Sequence, residues 1–236
     1  EAIGRVPGVK VMDVDPGPDT NRTVVTIVGS PEGISEAAFQ GIKRASELID
    51  MSNHSGAHPR MGATDVCPFI PINGVTIEEC IELSKKVGRR VGDELGIPVF
   101  LYEYSAQRSN RKNLSNIRKG EYEGLADKLR QPEWRPDYGP SELNIHAGAT
   151  AIGCREFLIA YNINLNTKDH RLAMDIAFEL REAGRAAREP NPASRNILDG
   201  SIIRFKDDAY PCGICSEVFS NVDGLPEHWK VVHDEN

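Results

Sequence analysis

The segment 76–102 contains a long helix followed by a strand, and it constrains the fold more than any other part of the chain. Thr76 and Glu79 have the spacing of a capping box, in which each side chain bonds the backbone N–H of the other residue. Gly96 then predicts the end of the helix, and the apolar run 98–102 predicts a strand. We therefore expect an amphipathic helix that packs against a sheet.

Strands and helices alternate along the rest of the chain. Four further apolar or β-branched runs predict strands, at 9–14, 23–28, 66–72 and 157–165. We expect the second to be buried and the third, which contains two prolines, to be an edge strand or an irregular strand. Apolar residues at helical spacing predict helices at 35–50, 121–130 and 168–185, with loops at 53–64 and 132–153. This order favours an α/β or α+β sandwich with one helical layer.

The composition argues against a membrane-spanning chain and against a nucleic-acid-binding one. Hydrophobic residues make up 39% of the 236 residues, and the mean hydropathy is −0.40. No run approaches the ~20 apolar residues that a transmembrane helix needs. Lys and Arg number 28 against 35 Asp and Glu, so the net charge is −7, whereas phosphate binding favours a basic protein. We expect neither a membrane nor a nucleic acid as partner.

Cysteine usage and the first residues bear on the cellular compartment. The five cysteines are odd in number and spread through the chain, which is not the pattern of a disulfide framework. They fit a reducing compartment, and the chain opens without the basic and apolar regions of a secretory signal, so we predict a cytoplasmic protein. The opening residues resemble the middle of a helix, and we expect a further segment to precede them.

Residues 205–236 have the spacing of a Cys2His2 zinc finger. Two residues separate Cys212 from Cys215, twelve residues separate Cys215 from His228, and four residues separate His228 from His233. Two cysteines on a hairpin and two histidines on a helix form the tetrahedral ligand set that Zn²⁺ prefers. So short a segment would depend on the metal for folding. The spacing predicts a small ββα module with structural Zn²⁺ as its cofactor; the alternative is a chance match.

The predicted finger lacks the charge of a DNA reader. Its base-reading helix positions would be Asn221, Gly224 and Glu227, none of which is basic. The segment 204–236 has three basic and seven acidic residues, a balance of −4 that opposes phosphate binding. We expect no DNA binding, and a protein-contacting or structural finger instead.

The densest polar segment of the larger domain is the loop at 53–65, from which His58 and Arg60 project. An imidazole can take up and return a proton near neutral pH. A guanidinium can hold a carboxylate through two parallel hydrogen bonds. The loop is therefore a candidate active site, while a capping role for the histidine stays the alternative.

Residues 108–130 form a basic run of seven basic and three acidic residues. Such a run could attract a polyanionic ligand, such as the polyglutamate tail of a folate. It could equally be a solvated surface. The sequence leaves both interpretations open.

Several strings in the larger domain resemble one protein family. They lie at 13–23 (Asp-Val-Asp-x-Gly-Pro-x-Thr-Asn-Arg-Thr), 58–63 (His-Pro-Arg-Met-Gly-Ala), 65–71, 120–124, 134–140 and 157–165. Together they resemble the formiminotransferase domain of glutamate formiminotransferase and of the bifunctional formiminotransferase–cyclodeaminase. The resemblance runs from residue 1 to about residue 185 and corresponds to the N-terminal subdomain of that domain.

The resemblance implies a ferredoxin-like α/β fold and a transfer reaction. The formimino group of N-formimino-L-glutamate would move to N5 of the co-substrate tetrahydrofolate. The catalytic histidine corresponds to His58, a carboxylate that orients it to Asp15, and we hypothesise that Arg60 holds a substrate carboxylate. The folate-contacting loop corresponds to Gly139, Pro140, Ser141, Glu142, Leu143, Asn144, Ile145, His146, Ala147 and Gly148.

The chain departs from this family in ways that leave two classes of function open. Residue 57 is alanine where many relatives carry glutamate. After residue 185 we predict a linker (186–204) and the finger (205–236) instead of a second α/β subdomain. As an enzyme, the domain 1–185 would need a protein partner or self-association to complete the folate cleft. Alternatively, it is a catalytically incomplete relative that acts as a binding or regulatory module through its finger. A third alternative is that the sequence is a fragment or a mis-joined gene model.

Overall fold

A computed structural model describes residues 1–18, 20–158, 165–166, 168–180, 210–211 and 218–219. The chain divides into two units, Glu1–Ile159 and Ala160–Asn236, and each is described by itself. In chain order the strands and helices are β1 (Val9–Gly17), β2 (Arg22–Gly29), α1 (Pro31–Leu48), β3 (Val66–Phe69), α2 (Ile77–Leu95), β4 (Val99–Leu101), α3 (Leu114–Arg118), α4 (Leu125–Leu129), β5 (Thr150–Cys154), α5 (His170–Leu180), β6 (Tyr210–Pro211) and β7 (Val218–Phe219). The larger unit holds everything up to β5.

A three-stranded parallel sheet lies at the centre of the larger unit, with strand order β3-β5-β4. Helices α1 and α2 supply Phe39, Ile42 and Val91 to the core on one face. The short helices α3 and α4 supply Ile117 and Leu125 to the core on the other face. The expectation of one helical layer is therefore wrong, because helices cover both faces of the sheet.

The predicted limits of α2 are confirmed. The Thr76 hydroxyl accepts from the Glu79 N–H, and the Glu79 carboxylate accepts from the Thr76 N–H, so both bonds of the capping box are present. Gly96 ends the helix in the left-handed conformation, at φ 62°. Strand β4 follows as predicted, and β3 lies at the sheet edge as its prolines indicate.

The central strand β5 falls in a segment that we predicted to be a loop. All five of its residues are buried, because it has a neighbouring strand on each side and a core on each face. A strand buried on both faces shows no polar alternation, and Gly153 further weakens the signal. The strand predicted at 157–165 is wrong at its start, since Phe157 and Leu158 are exposed and outside any strand. Residues 159–164 lie outside the described part.

Strands β1 and β2 form an antiparallel hairpin that is separate from the central sheet. The sequence predicts a buried β2, yet most of its residues are exposed, including Val24 and Val25. β-Branched composition predicts a strand but not whether a second layer covers it. The described residues form a mixed α/β structure with a parallel and an antiparallel sheet, which is compatible with the predicted α+β class. The single sheet of a ferredoxin-like fold is not what the described residues form, since they make a parallel sheet and a separate hairpin.

The helices differ from their predictions mainly at their ends. Helix α1 begins four residues earlier than expected, with Pro31 in its first turn and the Ser30 hydroxyl accepting from the Gly33 N–H. Helix α4 is shorter than expected, and α3 was not predicted. Helix α5 agrees with the described part of the prediction at 168–185.

Part of the basic run at 108–130 serves the fold. Arg111 is fully buried and pairs with the Asp137 carboxylate at 2.8 Å. The Lys128 ammonium donates to the carbonyls of Asn116, Ile117 and Lys119 at the end of α3, where helix carbonyls lack partners. Burial lowers the pKa of Lys128 to about 8. These two cations are therefore not available to a polyanion.

Of the helices that the structure describes, none is both long enough and apolar enough to cross a bilayer. The predicted limits at 185 and 204 fall outside the described residues, so the boundaries 1–185, 186–204 and 205–236 stay predictions.

Candidate active site

His58 lies partly buried in the loop between the 3-10 turn Met51–Asn53 and β3. Its Nδ1 lies 2.8 Å from the Pro59 carbonyl oxygen, and its Nε2 lies 2.6 Å from Nη1 of Arg22. A carbonyl can only accept a hydrogen bond and a guanidinium can only donate one. These contacts therefore assign the ring proton to Nδ1 and leave the lone pair on Nε2, the nitrogen that can accept a proton.

The turn between β1 and β2 is docked against the His58 loop. Nδ2 of Asn21 donates to the Ser55 carbonyl at 2.7 Å, and Nε2 of His54 donates to the Asn21 carbonyl at 3.1 Å. Gly56 permits the close approach, since a Cβ there would lie 2.5 Å from the Thr20 carbonyl oxygen. The docking brings Arg22, the first residue of β2, to His58.

Arg22 is the site residue that sequence reasoning missed. It lies inside the string 13–23 that carries the family resemblance, and that string was the signal that could have found it. Asp15, the predicted orienting carboxylate, lies exposed on β1, opposite Val24. Within the described residues no hydrogen bond or ion pair joins it to His58. The structure thus places Arg22, and not Asp15, in contact with the imidazole.

Arg60 is occupied by carboxylates of the protein itself. Its Nη1 lies 2.9 Å from an oxygen of Glu121, and its Nη2 lies 2.6 Å from an oxygen of Glu123. Nη2 also donates to the His54 carbonyl at 3.0 Å. Hydrogen bonds from Arg60 lower the pKa of Glu123 to about 2, and the two carboxylates raise the pKa of Arg60. The side chain of Arg60 is 11% exposed, which leaves little of it for a substrate.

The predicted folate loop lies directly beside the His58 loop. Gly148 and Gly62 form a β-bridge, and the Ala63 N–H donates to the Ala147 carbonyl at 2.9 Å. The Ala149 N–H donates to the Met61 carbonyl at 3.0 Å. The structure therefore brings together the loop that carries the candidate base and the end of the segment Gly139–Gly148, although they are far apart in sequence.

Further contacts hold the C-terminal half of the folate loop, in which two side chains stay accessible. The Asn144 side chain accepts from the Ala147 N–H and donates to the Gly96 carbonyl. The Tyr122 hydroxyl donates to the Ile145 carbonyl at 2.6 Å, and His146 lies 3.2 Å from a carboxylate oxygen of Asp50. The Ile145 side chain is 59% exposed. A ligand could reach Ile145 and His146 without unfolding the loop.

Metal ligands are not found in the described part of the chain. No group of three or more His, Cys, Asp and Glu residues there could hold an ion. The predicted zinc ligands Cys212, Cys215, His228 and His233 lie outside the described residues.

A comparison with known protein families identifies the family to which this chain belongs. Residues 1–155 match the profile described as the formiminotransferase domain, N-terminal subdomain. The chain belongs to this family. The formiminotransferase match covers the entire candidate site, from β1 to the end of β5.

Curated proteins with similar sequences carry related names. The chain is 54% identical over 190 residues to the formimidoyltransferase-cyclodeaminase of Mus musculus, which covers 80% of this chain and 35% of that protein. It is 51% identical over 179 residues to the glutamate formimidoyltransferase of Streptococcus pyogenes serotype M1, which covers 76% of this chain and 60% of that protein. The chain thus spans about a third of the length of the first relative and three-fifths of the length of the second.

Proposed function

We propose that the chain acts in the transfer of a formimino group from N-formimino-L-glutamate to N5 of tetrahydrofolate. The observation that carries the proposal is that His58, with a lone pair on Nε2, lies on a loop that is bonded to the end of the predicted folate loop. The names of relatives that are about 50% identical support the same chemistry.

The proposed reaction needs one proton acceptor that later becomes a donor. N5 of the folate attacks the amidine carbon and gives its proton to Nε2 of His58 as the new C–N bond forms. The imidazolium then protonates the nitrogen of the glutamate, and the old C–N bond breaks. The proton that leaves N5 ends on the departing glutamate, so the step balances without an added reagent. A positioned base of this kind contributes about 10²–10⁴-fold to the rate.

The remaining site residues have supporting roles in this proposal. Arg60 positions the His58 loop through Glu121 and Glu123, because protein groups already occupy its donors. We retain Asp15 as a residue that orients His58 once substrates are bound, which only the family resemblance supports. The segment Gly139–Gly148 would contact the folate.

A second polypeptide segment would complete the cleft in this proposal. Residues 1–155 match the N-terminal subdomain of the formiminotransferase domain. We infer that the complementary half of the cleft comes from another chain or from self-association. The purified chain should therefore transfer formimino groups once the complementary segment of a glutamate formimidoyltransferase has been added, or by itself at concentrations where self-association completes the cleft. Absence of both transfer and tetrahydrofolate binding, with and without that segment, would contradict the proposed function.

We also propose a structural zinc site in the second unit. Strands β6 and β7 pair antiparallel, with Tyr210 opposite Phe219 and Pro211 opposite Val218. Cys212 and Cys215 lie in the sequence between the two strands. This is the place that the hairpin of a Cys2His2 finger gives to its cysteines. His228 and His233 would complete the ligand set, and the finger would contact a protein partner.

Cobalt binding tests the zinc proposal. The full chain should bind one equivalent of Co²⁺ with the absorption bands of tetrahedral thiolate coordination, and Zn²⁺ should displace it. Cys212→Ser should abolish the bands. The matched change Cys67→Ser alters a cysteine of β3 in the other unit and should leave them intact. Identical spectra for both variants would refute the site.

A further inference from the structure

Arg22 differs from the other arginine of the site in its partners. Arg60 is nearly buried and holds two carboxylates, whereas Arg22 is exposed and forms no ion pair within the described residues. Its Nη1 donates to the lone pair of His58, and its Nε and Nη2 make no hydrogen bond to the described part of the protein. Arg22 therefore presents free donors to solvent beside the candidate base.

The position of Arg22 limits which ligand group it can reach. Nε2 of His58 must come within about 3 Å of the substrate nitrogen with which it exchanges a proton. A carboxylate bound to the Arg22 guanidinium lies about 3 Å further from that nitrogen. In N-formimino-L-glutamate, the α-carboxylate is attached to the carbon next to the reacting nitrogen. In a folate, the glutamate carboxylates are separated from N5 by the whole aminobenzoyl group. The α-carboxylate of the donor fits this distance and those of the folate do not.

We propose that Arg22 binds the α-carboxylate of the formimino donor, and that this binding withdraws its guanidinium from Nε2 of His58. The inference rests on the proposed function and deepens it. A carboxylate competes well for a guanidinium because both partners are charged and two parallel bonds can form, whereas the bond to the neutral imidazole is single and has a charge on one partner only. The lone pair of His58 is therefore covered until the donor is present, and the base becomes free when its substrate is in place.

Calorimetry on the full chain tests the proposal with three ligands: N-formimino-L-glutamate, its α-amide and its γ-amide. Arg22→Met should weaken binding of the donor about 10- to 100-fold, as expected for loss of a charge-assisted pair. The wild-type chain should bind the α-amide more weakly than the donor by a similar factor. Arg22→Met should bind the α-amide and the donor with equal affinity. The control Arg44→Met removes an exposed arginine of α1 and should bind like the wild type.

Nitrogen NMR of the histidine rings supplies a second readout. The Nε2 signal of His58 should change when the donor is added and should differ in Arg22→Met, while Nδ1 stays protonated. Equal affinity of the wild type and Arg22→Met for the donor overturns the role of Arg22. Binding of tetrahydrofolate without binding of the donor also overturns it and leaves folate recognition standing. If the wild type binds neither substrate, with and without the complementary segment, the proposed function and this inference fall together.

Discussion

His58→Ala is expected to lower kcat for formimino transfer by about 10²–10⁴-fold in the assembled enzyme. The variant removes the lone pair that accepts the N5 proton and the imidazolium that protonates the leaving nitrogen. Binding of tetrahydrofolate should change by less than about threefold, because the backbone bonds between the His58 loop and the folate loop do not involve the imidazole. His58 would then act on the transition state and not on ground-state binding.

Single-turnover kinetics and folate binding on the same preparations separate these effects. His58→Gln is a second variant that keeps a polar side chain and should be as slow as His58→Ala, because an amide cannot accept the proton. His170→Ala changes a histidine of α5 in the other unit and should keep wild-type turnover. Near-normal turnover of both His58 variants would remove the imidazole from the mechanism.

Gly62→Ala is expected to destabilise the larger unit by about 3 kcal/mol or more. A Cβ at Gly62 would overlap the Ala149 carbonyl oxygen and lie 2.7 Å from the Ala147 carbonyl oxygen. Both oxygens belong to backbone that leads into the central strand β5, so neither can move without disturbing the sheet. The His58 loop and the folate loop would separate, and folate binding should weaken along with stability.

Urea denaturation monitored by circular dichroism measures this loss. Gly4→Ala is the matched control, since the nearest atom to its Cβ is Cγ2 of Val11, at 3.9 Å. That substitution should change the free energy of unfolding by less than about 1 kcal/mol. Equal stability of the two variants would show that the contact between the loops is looser than the structure indicates.

The sequence by itself determined the limits of those helices and strands that depend on contacts between residues close together in the chain. The capping box at Thr76 and the left-handed turn at Gly96 depend only on residues a few positions away in the chain. The limits of α2 therefore follow from the local sequence. The edge position of β3, which contains Pro68, is one of the two outcomes that the prolines of the run 66–72 indicated. The sequence strings around His58 indicated the protein family, and the match of residues 1–155 confirms that family.

Contacts between distant segments decided the rest. Strand β5 was missed because burial on both faces removes the alternation that marks a strand, and its partners lie about 50 and 85 residues earlier. The contact between Arg22 and His58 spans 36 residues, and those between Arg60 and its glutamates span more than 60. Residue type tells what an arginine can bind. Only the folded chain decides whether a protein carboxylate already occupies it, as at Arg60, or whether its donors remain open, as at Arg22.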